Sequence, residues 1–265
     1  MSTEARLDGR STFARAGFFL YIGHFIVFAA LIVLWEVAIT YFDVPSFILP
    51  TPTNLAIRAW EDMASGLVFH HFTVTLTEVV SGFAGAFVIA MLLGSSIALV
   101  PFVERIVYPY VLILQTIPKV AVAPLFLIWF GYGIQTKAVT AGLVAFLPIL
   151  VTVVAGLKAV DPRRELLMRS LRANSLSKFM KLRLPNMLPY LFAGLETGII
   201  FAVLGAVLGE FIGGTQGLGA LIIQRQAAID VAGVFSAIFF LSMMGLGLSA
   251  LIRFTKTKFV FWQSN

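Results

Sequence analysis

Apolar residues gather into six long blocks along the chain: Phe18 to Ile39, Val79 to Val100, Ile106 to Trp129, Ala138 to Leu157, Leu188 to Ile212 and Val231 to Ile252. About 20 apolar residues at 1.5 Å rise cross a hydrocarbon core of about 30 Å, and a helix satisfies its own backbone there without closing a barrel. The pattern therefore predicts an all-α membrane protein with six spans and both termini on one side. The first block follows Arg6, Arg10 and Arg15, as a secretory signal would, but it is too long and contains Trp35 and Glu36. It is expected to be a retained span.

Composition agrees, with 59% hydrophobic and 12% charged residues against roughly 45–50% and 25% in soluble domains. Charge then sets an orientation. Lysine and arginine crowd the N-terminal tail, Arg105, the stretch Lys158 to Arg183 and the segment from Arg253 onward, while Arg58, Lys137 and Arg225 fall in the other connections. Cationic loops resist translocation, so both termini are expected in the cytoplasm of a bacterial inner membrane, and no nucleic acid is needed to explain the formal charge of +6. The resulting layout is a cytoplasmic tail over 1–17, a first span over 18–39, an extracytoplasmic connection over 40–73, a membrane domain over 74–254 and a cytoplasmic tail over 255–265.

The fourth connection holds eight cations against Asp161 and Glu165 and is longer than a turn between helices requires. Leu166, Leu167, Met168 and Leu171, then Leu176, Phe179 and Met180, recur at near-helical spacing. Two short amphipathic helices are expected, with Pro185 ending the second and Pro189 in the first turn of the next span. Such helices could lie on anionic lipid or dock a cytoplasmic partner.

Ionisable groups at membrane depth usually face protein or a water-filled path. Lys119, Glu78, Glu196 and Glu210 are the candidates. Lys119 follows Pro118, which should kink or unwind the third span beside a cation; it either marks a passage or snorkels or pairs with a carboxylate. Gly194, Gly198, Gly205, Gly209 and Gly213 recur at small-residue spacing and suggest a packing face for a neighbouring helix or a second subunit. Glu36 is expected at the membrane interface. His70 and His71, adjacent and so on different faces, make a poor metal site and are expected at the surface. The chain has no cysteine, no phosphate-cradling Gly-x-x-x-x-Gly-Lys-Ser/Thr, no catalytic constellation and no metal-ligand cluster. Gly245 to Ala250 mimics part of a dinucleotide fingerprint, but inside a span, without the strand it requires.

Asp161-Pro162, Ser170 to Asn174 and Leu184 to Pro189 resemble the cytoplasmic signature loop of binding-protein-dependent ABC transporter permeases. Two departures stand out: the family's Glu-Ala-Ala triplet falls on Leu166-Leu167-Met168, and its glycine falls on Arg172. Ile117 to Gly131, Ile48 to Pro52, Glu210 to Gly214 and Gly217 to Gly219 resemble the nitrate, sulfonate and taurine branch, although Glu78 stands where that branch more often has arginine. The resemblance implies a type I importer core working as a homodimer by alternating access. It further implies a cytoplasmic ATPase dimer that uses ATP and Mg²⁺, and an extracytoplasmic solute-binding protein. Coupling to the ATPase would fall to Leu166, Leu167, Met168, Ser170, Leu171, Arg172, Ala173 and Asn174, and the pathway to Glu78, Gln115, Pro118, Lys119 and Glu196. Nitrate, taurine or a sulfonate is the first substrate expectation, with a pyrimidine precursor or riboflavin as the alternative. A proton-coupled secondary carrier would instead show an internal repeat of spans.

Overall fold

The structure is a computed structural model that describes residues 4–262, with side chains from Gly23 to Trp262. The tail cations Arg6, Arg10 and Arg15 lie outside the residues whose side chains are described. Among the described residues all regular structure is helical: α1 (Glu4–Tyr41), α2 (Pro52–Ala64), α3 (Leu67–Leu99), α4 (Pro101–Thr116), α5 (Lys119–Phe130), α6 (Ile134–Lys158), α7 (Pro162–Ser170), α8 (Ser175–Lys178), a π-helical turn (Phe179–Arg183), α9 (Leu184–Gly213), α10 (Leu218–Ala227) and α11 (Val231–Phe259). Five stretches are long and apolar enough to cross a membrane, and the bent pair α4 and α5 brings the number to six if the two helices together form one span. The long helices run between an end that carries α2 and α10, here the α2 end, and an end that carries α7 and α8, the α7 end.

Two expectations need correction. The third block is no straight span: α4 and α5 meet at 98°. Pro118 has no amide to donate and pushes Ile117 into extended backbone, so the α-helical ladder stops there. Nor does Pro185 end a helix. α8 runs through the π turn directly into α9, with Pro185 at the start of α9 and Pro189 inside it. A π turn absorbs the hydrogen bond that Pro185 cannot make.

The core is three helices, with α6 packed between α3 and α9. Lipid offers no hydrophobic drive between helices, so close approach of backbones must supply dispersion contact instead. Glycines permit it from both sides. On α9, Gly194 lies against Thr152, Gly198 against Ile149, Gly205 against Ala141 and Gly209 against Lys137, all on α6, while Gly213 meets Leu127 of α5. On α3, Gly82 faces Gly142 and Gly94 faces Val153. Ala141, Ala145, Ile149, Leu150 and Val153 of α6 are sealed between the two.

The outer helices are held by fewer contacts. α1 exposes almost all its described side chains, as a lipid-facing span should, yet Glu36 accepts a hydrogen bond from the Thr53 amide at 3.0 Å. Glu36 thus helps cap α2, whose Thr51 hydroxyl already accepts from Asn54 N–H.

A side chain at Gly205 would place its Cβ 2.7 Å from the Ala141 Cα, whereas one at Gly245 would meet nothing within 4 Å. Gly205→Leu is therefore expected to destabilise the protein by about 1–3 kcal/mol, and Gly245→Leu to leave it unchanged, as read by thermal unfolding in detergent. Equal melting of the two variants would contradict the α6–α9 clasp.

Candidate translocation site and coupling surface

A cavity of ≈ 450 Å³ opens where the α4–α5 break meets α6 and α9, with Gln115, Lys119, Pro148, Thr152, Thr197 and Phe201 among its walls. Pro118 turns the chain so that Lys119 starts α5 beside the cavity, and its Nζ donates to the Gln115 carbonyl at 3.1 Å. The structure thus brings Gln115 and Lys119 together next to Gly194. It does not bring Glu78 or Glu196 there. Glu196 pairs with Arg253 of α11 at 2.7 Å, and Glu78 is fully buried elsewhere between α3, α6 and α9.

At the α2 end a chain of buried polar groups runs down one face of α3. His71, Thr75 and Glu78 occupy positions i, i+4 and i+7, a spacing that puts them on one side of the helix. His71 is buried rather than at the surface: its Nδ1 meets the Gly217 carbonyl oxygen at 2.9 Å and the Gly217 amide at 3.1 Å. His70, one residue earlier, is exposed. Thr75 accepts from the Leu218 amide and donates to Glu210, which also accepts from the Gly219 amide at 2.5 Å. Gly217 has φ +108 and sits where a Cβ would strike the Glu210 carboxylate, so only glycine fits. Below it, Lys137 of α6 lies 3.5 Å from Glu78. The Lys137 side chain, expected in an external connection, is 8% exposed.

Arg225, also expected outside, is buried too. Its guanidinium forms a paired contact with Asp62 of α2 and donates to the Gly233 carbonyl at 2.7 Å. Ser236 of α11 donates to the same carboxylate at 2.5 Å. One pair so joins α2, α10 and α11, and removing either partner alone would strand a buried charge at a cost of about 3–5 kcal/mol. Next to it Arg58 donates to Asp230 at 2.8 Å, and Asp230 caps α11 through the Gly233 amide. Burial would raise the Asp230 carboxyl, but the Gly233 amide and Arg58 outweigh it and hold the group below its ordinary 3.8. For Arg58 burial works downward and is outweighed by Asp230, Glu61 and Asp62, which raise it.

The α7 end has a different character. α7 starts on an Asp161 cap that accepts from the Arg163 amide at 2.8 Å, and α8 on an Asn174 cap that accepts from Ser177 at 2.8 Å. Leu166, Leu167, Leu171, Leu176 and Met180 all stand exposed between Arg163, Arg164, Arg169 and Arg172. Met168 and Ala173 are half-buried and support the turn, while the Ser170 hydroxyl donates back to the Leu166 carbonyl. Glu165 braces the platform by accepting from Arg169 and from Arg183 at the base of α9. Arg172 occupies the left-handed region, φ +51, with Ala173 N–H bonded to the Met168 carbonyl. That is the helix stop in which glycine normally takes the left-handed place, and it is where the signature loop's glycine was expected.

Asp62, Thr75 and the buried roles of Lys137 and Arg225 escaped sequence reasoning. The α3 stripe of His71, Thr75 and Glu78 was a readable sign of a buried polar face; the Asp62–Arg225 pair, 163 residues apart, left none.

Residues 63–259 match the family of binding-protein-dependent transport system inner membrane components, and the chain belongs to that family. It is a permease subunit of an ABC importer. It is 36% identical over 236 residues to a riboflavin transport system permease protein of Chloroflexus aurantiacus, covering 89% of this chain and 88% of the relative. It is also 36% identical over 225 residues to a formylaminopyrimidine transport permease protein of Halalkalibacterium halodurans, covering 84% and 89%. Permeases for aliphatic sulfonates and for taurine match at 26% and 28%. The fold is shared with an inward-facing methionine ABC transporter structure, with a TM-score of 0.62 at 24% identity over 77% of this chain and 99% of that one.

A carboxyl lowered on folding stabilises the fold above its unfolded value, and that contribution is lost as pH falls through the folded one. Asp230→Asn should therefore lower the melting temperature at neutral pH, with the difference from wild type fading below pH 3.8; a constant difference across that range would refute it. At Arg172 a left-handed side chain costs about 1–2 kcal/mol, which glycine relieves while loosening the unfolded chain. Arg172→Gly is expected to resist limited proteolysis of the 159–183 segment as wild type does, and Arg172→Val to be cut faster.

Proposed function

We propose that two copies of this chain form the pore of an importer in the bacterial inner membrane, that a cytoplasmic ATPase pair drives it with ATP and Mg²⁺, and that an extracytoplasmic binding protein supplies the solute. The observation that carries this reading is the α7 platform: five exposed apolar side chains ringed by arginines, on short capped helices braced to the foot of α9. An apolar ridge with a cationic rim suits a groove in a partner protein. Because α7 and α8 connect α6 to α9, a push on the platform acts on both helices of the clasp. Cation placement puts this end in the cytoplasm with both termini. The cavity beside the α4–α5 break then lies on the route between the two copies, and alternation of its access follows the ATPase cycle.

For the solute, we favour a small planar heterocycle of the pyrimidine or flavin kind over nitrate, taurine or a sulfonate. Support comes from the higher identity to the riboflavin and formylaminopyrimidine permeases, and from walls that mix Val144, Leu147, Val151 and Phe201 with the amide of Gln115 and the hydroxyls of Thr152 and Thr197. Flat faces pack on the apolar walls while ring edges hydrogen-bond.

The test is co-reconstitution in lipid with the cognate ATPase and binding protein. Replacing Leu166, Leu167 and Leu171 together by serine should remove about 2 kcal/mol or more of docking energy, roughly 30-fold in ATPase affinity, and abolish solute-stimulated ATP hydrolysis. Unchanged coupling would defeat the docking role. Uptake of labelled riboflavin or formylaminopyrimidine without uptake of taurine is expected; the reverse would restore the sulfonate reading.

A further inference from the structure

Among the described residues, Glu78 is a fully buried carboxyl neither of whose oxygens has a hydrogen-bond partner. Buried carboxylates normally collect several donors, and no donor is aligned on this one. From α6, Lys137 approaches Oε1 only to 3.5 Å. From α9, Glu210 faces it, already accepting from the Thr75 hydroxyl and the Gly219 amide. On α3 itself His71 is engaged with Gly217, and the Ser81 hydroxyl points back to its own helix. Around α10 the nearest charge, Arg225, is turned to Asp62. On α11 the capping Asp230 contacts Arg58, Arg253 contacts Glu196, and Lys256 and Lys258 lie in its last turn.

The sealed joint of α3, α6 and α9 thus holds two carboxyls and one ammonium. With both carboxyls ionised, the joint would carry an uncompensated negative charge and an acceptor pair with no donor, the costliest arrangement for a buried group. One proton resolves both defects. Glu210 already accepts from two donors, the Thr75 hydroxyl and the Gly219 amide, whereas Glu78 accepts from none, so the proton belongs on Glu78, where it can donate to an acceptor site that Glu210 keeps open.

We propose that Glu78 is a proton-binding site in the membrane core: a neutral carboxylic acid that donates to Glu210, so that the pair of carboxyls carries a single negative charge beside the Lys137 ammonium. Glu210 also holds the Gly217–Gly219 turn through the Gly219 amide and Thr75. Loss of the proton to water, when water reaches the joint, leaves two anions against one cation directly beneath that turn. The closed α2 end and the bound proton therefore stabilise each other.

Infrared spectroscopy of the purified full-length chain in lipid tests this without ATPase or solute, so a negative result would leave the importer reading standing. A carbonyl stretch of a protonated carboxylic acid, on the high-frequency side of the amide I band, is expected in wild type at neutral pH. It should be absent in Glu78→Gln and retained in Glu196→Gln. Glu78→Gln should melt with wild type, since a neutral amide keeps the donor. No such band in wild type, an undiminished band in Glu78→Gln, or a marked loss of stability in that variant would each overturn the proposal. Glu210→Gln gives a second reading: with one carboxyl left beside Lys137, Glu78 should ionise and the band vanish, and persistence of the band would count against a shared proton.

Discussion

Everything in this fold hangs on how closely α6 can approach α3 and α9. In a bilayer, apolar side chains gain little by leaving lipid for protein, so helices adhere where small residues let backbones touch. Here glycines line α9 for its whole length and face alanine, threonine and isoleucine of α6, while Gly82 and Gly94 do the same from α3. The tight contact leaves no slack for α6 and α9 to slide independently. The segment that joins them is also the segment that presents the exposed leucines. A force applied there is delivered to a rigid pair rather than to a single helix.

That rigid pair forms one wall of the cavity, and the broken span forms the other. Backbone irregularity at membrane depth survives only where protein or a water-filled space receives the freed polar groups. At the α4–α5 break the Gln115 carbonyl finds the Lys119 ammonium. The same proline that breaks the helix therefore places the only lysine of the third block beside the cavity. The glycine clasp runs from Gly194 to Gly209, and the cavity opens beside its Gly194 end, toward α7.

Much of this was legible in the residues. Six apolar blocks of spanning length, the glycine spacing of α9, the cationic platform and the disruptive Pro118 all act through local sequence, and each appears in the fold. What stayed hidden depends on distant partners. Lys137 and Arg225 look like loop cations because they sit near helix ends, and nothing local tells a solvated cation from one sealed against Glu78 or Asp62. His71 was misjudged for the same reason: its partner, Gly217, arrives from the far end of α9. Pro185 misled in another way, since a π turn can carry a helix across a proline that a simple rule treats as a stop. Arg172 was placed at the glycine position by the signature spacing, and its left-handed backbone explains why glycine suits that place.

The two ends of the molecule are fastened by different kinds of ion pair. Asp62–Arg225 lies in the interior, whereas Glu104–Lys158, which ties α4 to the foot of α6, is more than a third exposed on both sides. Dissolved ions weaken exposed pairs over a Debye length of about 8–10 Å and barely reach buried ones. Ionic strength therefore acts unevenly on this protein: it loosens the Glu104–Lys158 joint between α4 and α6 and the exposed Arg58 pairs at the opposite rim, while the sealed Asp62–Arg225 pair keeps its geometry.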